Sequence, residues 1–111
     1  MDYLKVRRRH IFDSHAHYDD ARYDEDPSVE SRDGLLNELF EEEVKLILNA
    51  GTNLETSRKS LALAEKYSGM YAAVGIHPHD AENVEDDLDA LRSLRELLYH
   101  EKAVAIGEIG L

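Results

Sequence analysis

Four short apolar runs alternate with helix-periodic segments along this 111-residue chain, and that alternation limits the fold more than any other feature. Residues 9–14 read as a first strand, Val44–Ala50 as a second, 70–76 as a third and 103–111 as a fourth. The second run is almost uninterrupted in apolar side chains, as expected of a strand buried on both faces. Leu35, Leu36, Leu39 and Phe40 recur at helical spacing from a start near Asp33. Leu54, Leu61, Ala62 and Ala64 mark a second helix, and Leu88, Leu91, Leu94 and Leu98 form a stripe within 84–100. The second helix is expected to open on a capping box, with Thr52 as N-cap and Glu55 reaching back. It is expected to stop at Ser68-Gly69, where glycine suits a left-handed cap. Residues 1–8 read as a short tail. The polar, acidic stretch 18–31, with Pro27, reads as a loop of little regular structure, long enough to carry function.

Strands separated by helices imply right-handed crossovers and a parallel sheet, here of four strands and three helices. Sites in such sheets form at the carboxyl ends of the strands. The first strand runs into His15 and His17, the third into His77 and His79, and the fourth carries Glu108. In an extended segment His15 and His17 point to the same side, a ready pair of ligands for one divalent metal. The plain alternative is two rim histidines, one solvated and one hydrogen-bonded.

The neighbours divide in the same way. Asp13 either orients a ligand histidine as a supporting carboxylate or bonds backbone at the strand end. His77 and His79 either contact a substrate phosphate or simply form a turn at Pro78. Gly107 and Gly110 around Glu108 point to a tightly approached backbone, which favours a ligand over a surface carboxylate. His10 and His100 read as structural, and Glu41 to Glu43 as a solvated helix face.

Composition narrows the function. Hydrophobic residues at 42% and charged residues at 33% describe a globular chain with one domain's worth of core. Without cysteine there is neither a disulfide nor a thiolate metal site, and no apolar stretch approaches a membrane span, so a cytoplasmic protein without membrane contact is expected. Twenty-four acidic against 13 basic residues give a net charge of −11, opposite to the basic footprint of nonspecific nucleic-acid binders. Action on a phosphodiester would therefore lean on bound metal ions for positive charge. The cluster Lys5, Arg7, Arg8 and Arg9 reads as a solvated flank.

Asp-Ser-His-Ala-His at 13–17, Val-Gly-Ile-His-Pro-His at 74–79 and Ala-Ile-Gly-Glu-Ile-Gly-Leu at 105–111 closely resemble three signature blocks of the TatD-type metal-dependent hydrolases, and Asn-Ala-Gly-Thr at 49–52 also fits. The resemblance covers nearly the whole chain. It implies a (β/α)8 TIM-type barrel, an amidohydrolase-like site for two divalent ions (Mg, Mn or Zn) and deoxyribonuclease activity on DNA. His15 and His17 would bind one metal, and Glu108, the catalytic carboxylate, would bridge both. From their position at the end of the third strand, rather than from the resemblance, His77 and His79 are expected to meet the substrate. The family's further ligands, two histidines and an aspartate, come from later strands, and an aspartate follows the glutamate block; this chain stops at Leu111. A barrel of this class needs about 250 residues. The expectation is thus a single partial domain over 1–111, the N-terminal part of a barrel, with open edges that invite self-association. No feature marks a stable protein partner. Two alternatives stand beside the nuclease: hydrolysis of a small cyclic amide or ester, and an inactive fragment serving as a binding or complementing half.

Overall fold

A computed structural model describes residues 10–25, 31–78 and 88–109. Strands β1 (Ile11–Ala16), β2 (Val44–Ala50), β3 (Met70–Val74) and β4 (Ala103–Ile106) form one sheet in the order β1-β2-β3-β4. Every neighbouring pair is parallel. Helices α1 (Arg22–Glu25), α2 (Arg32–Glu42), α3 (Leu54–Lys66) and α4 (Leu88–Leu97) lie in the connections. The class is the expected α/β, with a sheet of part of a TIM-type barrel that is not closed.

The core lies on one face of the sheet. Ile47 of β2 and Met70 of β3 pack with Leu36 of α2 and with Leu63 and Ala64 of α3. Leu61, one turn away on α3, packs with Ala72 and Val74, and there Leu94 and Leu97 of α4 and Ala103 of β4 close over it. Helix α3 therefore supplies both clusters. Fully burying a side chain such as Leu36 or Ile47 stabilises the fold by about 1.5–3 kcal/mol.

The other face is open, which corrects the expectation that β2 is buried on both sides. Leu46 is 40% exposed, and Phe12, Val104 and Ile106 are also exposed. Among the described residues no element packs over them.

Several boundaries shift for identifiable reasons. β1 starts later than expected, because pairing begins at Ile11↔Val44, and it runs on to Ala16↔Asn49. β3 ends at Val74 because the Gly75 N–H turns to the Ser57 hydroxyl, 3.2 Å away. β4 ends at Ile106 because the Glu108 N–H leaves the ladder for the Gly51 carbonyl at 2.6 Å. The stretch read as a loop holds a single helical turn, α1, while residues 26–30 lie outside the described residues. In α4 the packing pair is Leu94 and Leu97; Leu88 and Leu91 of the expected stripe are exposed because only the C-terminal half of the helix reaches the core, and Leu98, just past the helix end, is exposed as well.

The α3 cap is displaced by one residue. Asn53 is the N-cap and accepts from the Thr56 N–H at 2.9 Å. Thr56 Oγ1 in return accepts from the Asn53 N–H at 3.0 Å and from the Thr52 N–H at 2.7 Å, so one hydroxyl serves two donors. Glu55 instead pairs with Lys59 one turn on, at 3.3 Å. At the other end Tyr67 is extended, and no described glycine has positive φ, so the left-handed cap is absent. Gly69 is required for space: a Cβ there would stand 2.5 Å from the Lys45 carbonyl oxygen.

Candidate metal centre

The strand ends set the site. The strands end near one another, so that His17, Gly51, Gly75 and Gly107, each just past its strand, lie at one edge of the sheet, with Gly75 and Gly107 next after the Val74↔Ile106 pair. Three glycines in a row let backbones approach there. The Gly51 N–H donates to the Ala73 carbonyl and the Gly107 N–H to the Val74 carbonyl, both at 2.9 Å. The Glu108 N–H then bonds the Gly51 carbonyl, so the end of β4 passes over β3 to reach β2. That path brings Glu108 to histidines on a strand three positions away in the sheet.

His15, His17 and Glu108 converge. The two Nε2 atoms are 3.1 Å apart. His15 Nε2 lies 3.4 Å from Glu108 Oε1, and His17 Nε2 lies 3.3 Å from Oε2. Among the described residues this is the one group of three or more side chains placed to hold a metal ion. The spacing fits such an ion: ligands about 2.0–2.2 Å from a centre stand about 2.8–3.1 Å from one another in octahedral and about 3.3–3.6 Å in tetrahedral geometry. Three lone-pair donors this close need a proton or a cation between them.

The tautomer of His17 is fixed by its other nitrogen. Nδ1 lies 3.0 Å from the Ala50 carbonyl, which can only accept, so Nδ1 carries the proton and Nε2 presents its lone pair to the cluster. The side chains of His15 and His17 are 59% and 40% exposed, against 24% for Glu108, so one side of the group is open to further ligands or substrate. A polar recess of about 480 Å³ adjoins it, lined by His17, Asp20, Thr52, Thr56 and Lys59.

The remaining residues singled out in the sequence fall as follows. His77 sits at the same edge, its N–H bonded to the Thr52 carbonyl at 2.7 Å, and is not one of the three converging side chains. His79 lies outside the described residues. Asp13 Oδ1 accepts from the His15 N–H at 3.3 Å, a backbone bond at the strand end. His100 bonds Glu65 at 2.6 Å and accepts from the Lys102 N–H, tying the α4–β4 connection to α3. His10 is exposed.

Sequence reasoning missed the buried polar supports. Ser57, fully buried, clamps Gly75 through both its N–H and its carbonyl. Arg32 gathers the turn after the histidines, donating to the Tyr18 carbonyl at 2.5 Å and the Asp20 carbonyl at 3.1 Å while holding Asp24 with both terminal nitrogens. That pairing raises the Arg32 pKa and holds the Asp24 carboxyl below the ordinary carboxylate range. Burial, and secondarily the charge of Asp13, pushes the Tyr18 phenol up. The only signal in the sequence was an arginine at the start of an otherwise acidic helix.

Comparison with known proteins bears on this geometry. The model of a family described as TatD related DNase matches residues 12–111. The chain is 39% identical over 106 residues to an uncharacterized metal-dependent hydrolase, YabD, of Bacillus subtilis, covering 91% of this chain and 37% of that protein. It is 36% identical over 101 residues to the 3'-5' ssDNA/RNA exonuclease TatD of Cronobacter sakazakii, covering 91% and 36%. With the enzyme of the same name from Escherichia coli it shares 34% identity over 83 residues, covering 75% and 31%. The chain thus spans about a third of the length of these curated relatives.

Proposed function

The chain belongs to the TatD related DNase family, and from that premise we propose that it carries the N-terminal part of a metal-dependent nuclease site that hydrolyses phosphodiester bonds of DNA. One observation carries this reading: the convergence of His15, His17 and Glu108 within 4.8 Å at the carboxyl edge of the sheet, open on one side. His15 and His17 hold a divalent ion through their Nε2 atoms, with His17 kept in the right tautomer by Ala50. Glu108 turns both carboxylate oxygens toward this histidine pair, so it would be a third ligand to the same ion; its bridging of a second ion and its role as the catalytic carboxylate are assigned from the family resemblance. Such ions supply positive charge and Lewis acidity for phosphodiester hydrolysis at neutral pH. They also offset a chain charge of −11 that would otherwise repel a nucleic acid.

His77, at the same edge, is assigned to the scissile phosphate, and His79 to the neighbouring part of the substrate. Imidazole and carboxylate donors together accept Zn, Mn or Mg, with nitrogen favouring the first two. The acidic charge also favours a second reading, in which the same centre opens a small cyclic amide or ester. Nuclease assay of the full-length protein on single-stranded DNA, with calorimetric titration of Zn, Mn and Mg, tests the proposal. Metal uptake and cleavage that both fall at least tenfold in Glu108→Gln and His17→Ala are expected. Full cleavage by either variant would remove the assigned roles, and metal uptake with hydrolysis of amides but not DNA would favour the second reading.

A further inference from the structure

Asn49 is the most completely used buried polar side chain near the site, and nothing in the proposed chemistry employs it. It is fully buried in β2. Its Oδ1 accepts from the Tyr18 N–H at 2.6 Å, and its Nδ2 donates to Asp19 Oδ1 at 2.9 Å and to the Ser60 hydroxyl at 2.8 Å. The partners fix the orientation of the amide, because a backbone N–H needs the oxygen and a carboxylate needs the NH2. A buried asparagine that served the core alone would need no partner outside it. Two of these three bonds go instead to the turn that follows His17.

The Tyr18 N–H belongs to the same rigid peptide plane as the His17 carbonyl. Holding that plane sets the ψ angle of His17, and with it the direction from which the imidazole reaches both the Ala50 carbonyl and Glu108. The Asp20 N–H returns to the His17 carbonyl at 3.2 Å, so Asn49 and the turn grip the two opposite edges of one peptide group. We infer that Asn49 is a positioning residue for the metal centre: its carboxamide locks the His17–Tyr18 peptide and the Asp19 carboxylate, so that the His17 imidazole is presented in one pose and one tautomer. Ser60 anchors the amide from the α3 side and holds Asn49, not the turn.

The inference rests on the metal-centre reading for its affinity consequence but not for its pose consequence, and the two separate by experiment. In the full-length protein, Asn49→Asp keeps the acceptor for Tyr18 but sets a carboxylate against that of Asp19. Zn or Mn affinity, read by calorimetry well below the unfolding temperature, is expected to fall about tenfold or more. Nitrogen-15 NMR of the metal-free protein is expected to show His17 shifting from one tautomer to a mixture. The double variant Asn49→Asp/Asp19→Asn exchanges amide and carboxylate across the same bond and is expected to restore both readouts. Ser60→Ala is expected to lower Tm yet leave affinity within about twofold, which would show that the affinity loss in Asn49→Asp is not a general consequence of destabilisation.

Unchanged affinity and an unchanged His17 tautomer in Asn49→Asp would overturn the inference, as would a double variant no better than the single one. If Asn49→Asp does not fold, Asp19→Ala on the half-buried turn carries the same test, with the same direction expected and a null result overturning. If the unaltered protein takes up no metal, the metal-centre reading falls, and the tautomer measurement alone still decides for or against Asn49.

Discussion

Gly75 leaves free the space that the backbone of Glu108 occupies: a Cβ at position 75 would stand 2.6 Å from both the carbonyl carbon and oxygen of Gly107, and 2.9 Å from the Glu108 carbonyl oxygen. All three are backbone atoms, tied down by the bonds from Gly107 to Val74 and from Glu108 to Gly51. They have no rotamer with which to move aside. The absence of a side chain at Gly75, just past β3, is thus what allows the carboxylate that follows β4 to reach the histidines at the end of β1.

Gly75→Ala is therefore expected to push the 107–108 segment off the sheet edge, lowering stability by about 1–3 kcal/mol and metal affinity by about tenfold or more. Gly107→Ala is the contrasting variant. Its Cβ would meet only the Ala73 Cβ, at 3.6 Å, an ordinary contact. Calorimetric titration of both variants checks the pair: loss in Gly75→Ala with retention in Gly107→Ala is expected, and equal affinity in both would show that Glu108 does not depend on this gap.

At the opposite end of the sheet, Lys102 does for stability what the glycines do for the site. Its Nζ donates to the carbonyls of Tyr67, Ser68 and Met70 at 3.3, 3.2 and 3.0 Å and lies 4.4 Å from the centre of the Tyr71 ring. These carbonyls follow α3, and the first of them also accepts from the Met70 N–H at 3.1 Å. Lys102→Met keeps the length of the side chain and removes the charge. A loss of about 1–3 kcal/mol in denaturant unfolding is expected, with metal affinity unchanged because the residue is at the far end of β4. A change in affinity would mean that the two ends of the sheet are coupled.

How much of this was legible in the sequence depends on how local each cause is. The strands and their order follow from apolar runs, and the edge carrying His15, His17 and Glu108 follows from where those runs stop. The cap of α3 was misplaced because Thr52-x-x-Glu55 and Asn53-x-x-Thr56 are both plausible boxes one residue apart. The choice is made by Thr56 Oγ1 reaching two backbone N–H groups at once. Asn49 sits in an apolar run where a polar residue looks like a strand ending; its role depends on Tyr18, 31 residues earlier. The route of Glu108 over β3 is set by Gly51, Gly75 and Gly107 meeting in three dimensions, which no spacing along the chain encodes.

The Arg32–Asp24 pair predicts an acid limit. The hydrogen bonds from Arg32 lower the Asp24 pKa, so the folded value lies below the unfolded one. The contribution of the pair is present above the ordinary carboxylate value of about 4 and is lost as pH falls through the depressed folded value. Because Asp24 is exposed, a small effect is expected: Asp24→Asn should lower Tm slightly at pH 7, and the gap should close below about pH 4. Thermal melts across that range test this, and a gap that persists at low pH would assign the effect to something other than the charge.

Tyr67 sets the corresponding alkaline limit. Burial and then the hydrogen bond it donates to the Asp33 carboxylate push its phenol from 10.0 up to about 12. The folded protein therefore keeps a proton that the unfolded chain releases near pH 10. Stability from this group is complete below that point and drains away as pH rises toward 12. Phenolate absorbance should show one tyrosine titrating later than an ordinary one, and Tyr67→Phe should remove that late step. The same substitution acts on Asp33, whose carboxyl is held low first by Tyr67 and then by Lys66, at 3.0 Å. With the phenol gone Lys66 and the charge of Arg32 remain, so the Asp33 pKa should move part of the way back toward its ordinary value, a shift readable by carboxyl carbon-13 NMR. An alkaline step that survives Tyr67→Phe would place the late-titrating phenol elsewhere, with Tyr18, also raised by burial, as the next residue to substitute.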